Sequence, residues 1–348
     1  MDVHEYAAPV KKRFFTPGMN ALTAIMLSGL AFGLYRMLFG LGAVTNLNDQ
    51  YPLGLWIGVD VATGVALAAG GFTSGALVYV FNREHFHAVI RPALLTALLG
   101  YTFVGIGLMF DLGRWYNIWH PAVPMMWQGN SVLFEVGMCV MIYLTVLYIE
   151  FVPIVCERFI GRVNLPGVLG RFNDSVDMAL RFADHILNRI MFLFIIAGIT
   201  LSCLHQSSLG TLMVIAPFKM HPLYRSQLGP LFFLTSAFAV GLCMIIFESM
   251  IAGRALGRKP EMHVLTPLAK IIPWLLGLYI AVKLGDMLWR GSYLYLMDDH
   301  PAAFMFWIEF GLLTVVPFFM LMSSDIRRSP RSLFIAASMY IVGILLNR

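Results

Sequence analysis

The chain has 348 residues, of which 59% are hydrophobic and only 12% are charged, and its mean hydropathy is +0.77. Soluble domains carry about 25% charged residues, so the composition excludes a soluble protein and predicts an all-α protein that crosses the membrane many times. The net charge of +5 does not indicate nucleic acid as a partner. The basic residues lie where membrane topology would place them, and they form no basic and aromatic surface.

Nine apolar stretches are long enough to cross a bilayer, which takes about 20 residues. Residues 1–18 are expected to form a tail, and residues 19–348 a single integral membrane domain. The first stretch is expected to be an uncleaved helix, because no small-residue cleavage site follows it. The predicted spans are 19–41, 53–81, 92–111, 131–155, 190–214, 230–252, 267–289, 303–323 and 331–348.

Lys and Arg are distributed unequally between the two sets of loops. Sixteen of the 24 lie in the N-terminal tail and in the loops expected on the same side, and five lie on the opposite side. Because cytoplasmic loops carry the excess of basic residues, the N-terminus is expected in the cytoplasm. One basic loop, 171–189, has apolar residues at helical spacing and is expected to form an amphipathic helix at the membrane interface.

Small residues and cysteines are expected to serve packing. In the second span, Ala62, Ala66, Gly70 and Ser74 recur every four residues, so a neighbouring helix can approach closely. The four cysteines stand singly without CxxC spacing, which indicates small apolar residues and no disulfides or cluster ligands. The cysteines are Cys139, Cys156, Cys203 and Cys243.

Ionisable residues inside the spans collect in the half of the membrane opposite the basic loops. A charge in hydrocarbon costs at least about 2.5 kcal/mol, so such residues indicate a functional site. With a rise of about 1.5 Å per residue, Asp60, Glu135 and Glu309 are expected about 6–12 Å below the opposite face. His205 is expected about 8 Å below it, and Asp111 at the end of the third span, so one shared cavity is predicted.

The alternative interpretation is that these residues form structural ion pairs between helices. It is preferred for Lys283 and Asp286, which can pair within one helix. Function is preferred for His205, as the only deep histidine, and for Asp111, which adjoins the aromatic loop 111–130. That loop is expected to be a lid over an apolar ligand, with an interfacial aromatic belt as the alternative.

The opposite, cytoplasmic half also contains Glu150 and Glu248. A proton path is one interpretation, and solvation by the lipid headgroups is the other. The residues considered for such a path are Glu150, Glu248, Lys283, Asp286 and Glu309.

No cofactor is expected within the chain. A b-type haem between helices usually needs two buried histidines, and the histidines other than His205 fall in tails, loops or helix ends. The chain also lacks a cluster motif, a flavin fold and a phosphate loop. We therefore expect no haem, no iron-sulfur cluster and no metal site, and no electron carrier in the chain itself.

Four runs of sequence resemble a known family. The runs are YPLGLWIGVDVATGVALAAGGF at 51–72, GLMFDLGRWYNIWHP at 107–121, NSVLFEVGMCVMIY at 130–143 and HQSSLGTLMVIAPFKMHPLYRSQLGPLFF at 205–233. They resemble the NrfD-like family of polysulfide reductase membrane subunits. Within it, the chain looks most similar to the quinone-reactive subunits of periplasmic respiratory nickel-iron hydrogenases.

The resemblance implies two four-helix bundles with accessory helices, and a quinone site near the outer face. It also implies a periplasmic ferredoxin-like iron-sulfur subunit as a partner, with a catalytic subunit pair, as in a nickel-iron hydrogenase, or a multihaem cytochrome. Members of this branch generally have a tenth helix, and the sequence leaves open whether one follows residue 348.

The matching motifs suggest residue roles. His205 and Asp111 are candidate proton donors to menaquinone or another quinone, with Glu135 as a relay. Arg114 could stabilise negative charge on the quinone or pair with Asp111. The candidate quinone-binding residues are Asp60, Arg114, Trp115 and Gln206.

The resulting hypothesis is a quinone-binding subunit of a respiratory oxidoreductase in a bacterial or archaeal cytoplasmic membrane, with coupling to proton translocation left open. The alternative from another class is a proton-coupled secondary transporter, although its expected broken helices and mid-depth polar groups are weak in this sequence. A dihaem cytochrome b is a third alternative. The sequence leaves the partner enzyme and the direction of electron flow open.

Overall fold

The computed structural model describes residues 15–48, 54, 56–215 and 217–348. Within them, nine helices are long and apolar enough to span a membrane and no β-strand occurs, which confirms the predicted all-α, multi-pass architecture. The basic cluster of Lys11, Lys12 and Arg13 and the first residue of the predicted span 53–81 lie outside the described residues. Numbered α1 to α9, the helices are Pro17–Phe39, Gly58–Val80, His87–Asp111, Val132–Phe159, Gly170–Ile215, Gly229–Leu256, Met262–Arg290, Pro301–Met322 and Pro330–Asn347.

The helices pack as two bundles of four. Helices α2 to α5 form the first bundle and α6 to α9 the second, and contacts of α2 and α5 with α6 join them. Helix α1 lies against α3 at the periphery, and Arg36 is its only buried residue. We call the membrane face at which α1 begins the near face and the opposite one the far face.

Helix α5 is longer than predicted. The expected interfacial segment 171–189 and the expected span 190–214 form one continuous α-helix, Asn173–Ile215, of 43 residues. No proline or glycine interrupts it before Gly198. At about 1.5 Å per residue it is roughly twice as long as the hydrocarbon is thick, so its first turns extend beyond the near face.

The extension of α5 is tied to the loop before it through Asp177. This carboxylate accepts the backbone N–H of Gly161 at 2.6 Å and the guanidinium N–H of Arg181 at 2.7 Å. The two hydrogen bonds lower the pKa of Asp177 below its usual range, because both stabilise the charged form.

The aromatic loop after α3 lies on the far-face surface. It forms three short 3-10 turns, and the indole of Trp127 donates to the carbonyl of Pro121 at 2.8 Å. Trp119 remains 52% exposed and Trp127 48% exposed. Side chains this exposed favour the interfacial belt over the expected lid.

The bundles meet through backbone contact at the small-residue stripe of α2. A Cβ at Gly241 of α6 would lie 2.8 Å from the carbonyl carbon of Ala69, and one at Gly70 would lie 3.2 Å from the carbonyl oxygen of Gly241. Ala66 and Ser74 in the same stripe are fully buried. As expected, small residues let two helix backbones approach closely.

We expect Gly241→Val to weaken this junction, because the new side chain would overlap the backbone of α2. Overpacking of this kind costs about 1–3 kcal/mol. The measurement is thermal unfolding of the purified membrane complex in detergent. Gly137→Val is the matched control, since a Cβ at Gly137 meets no atom within 4 Å. Equal destabilisation by both variants would contradict the assigned contact.

Candidate functional site

Side chains from three helices converge at the far-face end of the first bundle. Trp56, just before α2, donates its indole N–H to Oδ1 of Asp111 at the end of α3. Arg36 of α1 donates to the backbone carbonyl of Leu112 and is the cation that acts on Asp111. The only buried residue of α1 therefore places a positive charge beside this carboxyl group.

Asp60 completes this far-face cluster. Its carboxyl group lies close enough to that of Asp111 for the two charges to interact, and Oδ2 of Asp111 is buried with no hydrogen-bond partner among the described residues. Asp60 belongs to a π-helical stretch, Gly58–Thr63, a widened turn that often marks functional sites. It faces Gly107 of α3, where a Cβ would lie 3.2 Å from Oδ2. Because two neighbouring carboxyl groups are costly to charge at the same time, the pair can hold or release a proton.

A second polar cluster lies deeper in the first bundle, around His205. This side chain is fully buried, and its Nε2 is hydrogen-bonded to the hydroxyl of Tyr101 of α3. The ring of Tyr143 of α4 lies 5.3 Å from the imidazole and 4.7 Å from the ring of Tyr101. Helices α3, α4 and α5 thus each contribute one group that can carry a proton.

Glu135 of α4 is hydrogen-bonded to α5 close to this second cluster. Its Oε1 accepts the hydroxyl of Ser208 of α5 at 2.5 Å, and Ser208 lies one turn beyond His205. One residue beyond His205, Gln206 donates its side-chain amide to the backbone carbonyl of Val65 at 2.8 Å. Antiparallel packing therefore brings the predicted residues Glu135, His205 and Gln206 into one neighbourhood.

His205 and Asp111 lie at different depths. Tyr101, the partner of His205, precedes Asp111 by ten residues of α3, which corresponds to about 15 Å along the helix axis. The structure therefore replaces the predicted single layer with two levels. Helix α5 continues for ten residues past His205, to Ile215, which places His205 about 15 Å below the far-face end of the helix.

Arg114 and Trp115 lie at the rim of the far-face cluster. Arg114 is exposed, and within the described part of the chain it forms no ion pair with Asp111. The polypeptide leaves the helix at Leu112, so Arg114 no longer stands one helical turn from Asp111. Its guanidinium remains available at the surface.

A cavity of about 210 Å³ opens in the near-face half of the same bundle. Tyr143 lines it, so the cavity reaches the aromatic neighbour of His205. Glu150 of α4 lies against Gly198 of α5, where a Cβ would come within 2.8 Å of Oε1. Other polar residues that line the cavity are Tyr79, His87, Arg91 and Asn188.

Glu248, the other acid of this half, lies outside that cavity. It accepts the hydroxyl of Thr96 at 2.7 Å, which joins α6 to α3. Of Glu150 and Glu248, only Glu150 lines the cavity that approaches His205.

The second bundle holds a separate buried set around Lys283. Its ammonium donates to the hydroxyl of Tyr279 at 3.3 Å. Glu309, 1% exposed, accepts the side-chain amide of Asn347 at 2.7 Å and lies in the π-helical stretch Trp307–Val315. Five aromatic rings have centroids 5.5–5.8 Å from the ammonium: Tyr224, Phe232, Tyr279, Phe306 and Phe310.

The expected ion pair of Lys283 with Asp286 is not the one that the structure forms. Asp286 instead pairs with Arg290, through two hydrogen bonds of 2.7 and 2.9 Å. The i,i+4 spacing and the forked guanidinium allow both bonds to one carboxylate. The ammonium of Lys283 instead lies among the aromatic rings.

The sequence interpretation omitted two residues of the site, Trp56 and Tyr101, and did not pair Ser208 with Glu135. A tyrosine deep in an apolar run needs a partner for its hydroxyl, which was the available signal for Tyr101. Trp56 precedes Asp60 by one turn. Ser208 lies three residues after His205, but its partner Glu135 lies 73 residues away in sequence and could not be inferred from that spacing.

Among the described residues, no three His, Cys, Asp or Glu side chains come together in a metal-binding arrangement. The four cysteines are free, and Cys156 and Cys243 are buried.

Residues 44–348 match the family model described as polysulphide reductase, NrfD. The "Probable Ni/Fe-hydrogenase 2 b-type cytochrome subunit" of Escherichia coli (strain K12) is 36% identical over 311 residues, which cover 88% of this chain and 74% of that protein. The "Menaquinone reductase, integral membrane subunit" of Nitratidesulfovibrio vulgaris is 29% identical over 345 residues, covering 91% and 76%. A selenate reductase subunit of Mesobacillus selenatarsenatis is 25% identical over 339 residues, covering 92% and 76%.

Proposed function

The chain belongs to the polysulphide reductase, NrfD, family, and from this premise we propose that it is the quinone-binding membrane subunit of a multi-subunit respiratory oxidoreductase. Electrons from a partner's iron-sulfur cluster reduce menaquinone or another quinone near the far face, or leave quinol in the reverse direction. The far face is periplasmic in this proposal. The partners are a ferredoxin-like iron-sulfur subunit and a catalytic pair, of which a nickel-iron hydrogenase is the preferred one.

The observation that carries the proposal is the file of proton-bearing side chains through the first bundle. Reduction of a quinone to a quinol takes two electrons and two protons, so each carbonyl oxygen needs a proton donor within hydrogen-bonding reach. The carboxyl pair of Asp60 and Asp111 lies at the far-face end of this file. Glu135 is hydrogen-bonded to Ser208, one turn from His205, and His205 is itself hydrogen-bonded to Tyr101. A purely structural set of ion pairs would not need so many neutral, proton-carrying partners.

We assign the roles by depth. Asp111, with Asp60 beside it, serves the carbonyl oxygen nearer the far face. Glu135 serves the other carbonyl and passes protons from His205. Arg114 and Trp115 bind the headgroup at the rim, where the free guanidinium stabilises negative charge as electrons arrive. Gln206 holds α5 against α2 and so keeps His205 in place.

Protons reach this file from the near face in the same proposal. The cavity beside Glu150 extends to Tyr143, which contacts His205, so Glu150 is the proposed point of uptake. Lys283, Asp286, Glu309 and Glu248 remain secondary candidates. None of them lines this cavity.

We expect Asp111→Asn and His205→Ala each to lower quinone reduction at least about tenfold, because each removes a proton donor. The measurement is quinone reduction by the intact purified complex, alongside reduction of an artificial dye by its soluble subunits. Asp298→Asn and His185→Ala are the matched controls, because they make the same substitutions at residues that do not belong to the file of proton-bearing side chains. Equal loss of dye reduction would show a structural defect and contradict the assigned roles.

We also expect the isolated subunit to contain quinone but no haem. Among the described histidines only His205 lies deep in the bundle, whereas haem between helices usually needs two. A reduced-minus-oxidised spectrum and extraction of bound quinone test this together. Stoichiometric haem would make the chain a cytochrome, and absence of quinone from the active complex would favour a transporter.

In sealed liposomes, we expect membrane potential to slow quinone reduction and an uncoupler to restore the rate. Protons drawn from the near face to a far-face quinone move outward against the potential, which opposes each by about 2.3 kcal/mol per 100 mV. Glu150→Gln should remove this response, and Glu261→Gln, at the near-face surface, should preserve it. If the rate of quinone reduction by the wild-type complex did not depend on membrane potential, proton uptake from the near face would be ruled out.

A further inference from the structure

A large cavity lies at the far-face end of the second bundle, away from the site described above. It has a volume of about 810 Å³ and lies between the loop before α6 and the end of α7. Polar side chains form much of its wall. They are Arg225, Ser226, Gln227, Asp286, Arg290 and Ser292.

The charges in this cavity do not cancel. Asp286 neutralises Arg290, which also donates to the backbone carbonyl of Pro222 at 3.1 Å. Arg225 is exposed, lies 5.6 Å over the ring of Phe218, and forms no ion pair with any described residue. One positive charge therefore remains, which favours a monovalent anion and disfavours a cation.

Ser292 supplies a buried hydrogen-bonding group to the same cavity. It is 2% exposed, lines the cavity, and its hydroxyl has no hydrogen-bond partner among the described residues. Gly291 ends α7 in the left-handed conformation, with φ of +66°, and the turn that it makes carries Ser292 into the wall. A buried hydroxyl without a partner is costly, so a ligand that accepts its proton would relieve this cost.

Further donors come from the loop before α6. Ser226 accepts the backbone N–H of Leu228 at 3.0 Å, which leaves its own hydroxyl proton to donate elsewhere. Helix α6 starts beside it, at Gly229, without a side-chain cap, so the positive end of a 28-residue helix adjoins the cavity. The dipole of such a helix favours an anion at its N-terminus.

The position of the cavity indicates where the anion comes from. Trp289 lines it and is 92% exposed, and tryptophan at a helix end is typical of the headgroup level of a membrane. Outside the predicted spans, only five of the 24 Lys and Arg in the sequence fall on this side, yet two of them line this cavity. We propose that it binds the phosphodiester headgroup of an anionic phospholipid of the far-face leaflet.

In this site, Arg225 and the hydroxyl groups of Ser226 and Ser292 donate to the phosphate oxygens. Arg290 lines the site but stays engaged with Asp286. The three residues that donate to the phosphate have no role in the proposed quinone chemistry, and none of them belongs to the first bundle. Loss of lipid binding and loss of quinone reduction can therefore be distinguished.

The test uses the intact complex, stripped of lipid in detergent and titrated with phosphatidylglycerol, phosphatidylcholine or inorganic phosphate. Thermal stability and the lipid retained after washing, measured by mass spectrometry, are the readouts. We expect phosphatidylglycerol to be retained and to raise the melting temperature. Arg225→Gln and Ser292→Ala should each weaken its binding, Arg225→Gln by about tenfold.

Arg328→Gln is the matched control, because it removes the same charge from an exposed position at the near face. Equal effects of Arg225→Gln and Arg328→Gln would overturn the site in favour of diffuse charge. Equal binding of phosphatidylcholine, or full stabilisation by inorganic phosphate alone, would overturn the anionic lipid as its occupant. Loss of partner subunits with unchanged lipid binding would assign Arg225 to a protein interface instead.

Discussion

Hydrocarbon offers no hydrogen bonds, and the arrangement of this protein depends on that constraint. A polar side chain within the bundles has to find its partner on another helix or on a backbone carbonyl. Tyr101 meets His205 in this way, and Glu135 meets Ser208. Each contact joins two helices, so the groups suited to proton chemistry also determine which helices lie side by side.

The two bundles use this constraint differently. Each places a glutamate on its third helix and a hydrogen-bond donor on its fourth, Glu135 with Ser208 and Glu309 with Asn347. In the second bundle Lys283 also acts on the glutamate, so charge compensates charge. The first bundle relies on neutral partners there, which is why we place the proton chemistry of the quinone in the first bundle.

Depth connects the site to energy conversion. The carboxyl pair of Asp60 and Asp111 lies near the far face, whereas the cavity beside Glu150 opens in the other half of the bundle. Tyr143 and His205 lie between these two regions. A proton that travels this file crosses much of the membrane, so the position of uptake decides whether quinone reduction is electrically silent.

The number and approximate position of the nine helices in the described part of the chain could be read from the sequence, because about 20 consecutive apolar residues are needed to cross hydrocarbon and few charges are tolerated there. The same argument identified His205, Asp111 and Glu135 as unusual, since a polar group at such depth is costly. Which side chains pair with one another was decided by the tertiary structure. Glu135 and Ser208 form a hydrogen bond although they lie 73 residues apart in sequence. Asp286 forms its ion pair with Arg290, although Lys283 also lies within one helical turn of it. Helical spacing determines which residues share a face, but only the packing of antiparallel helices determines what each face meets.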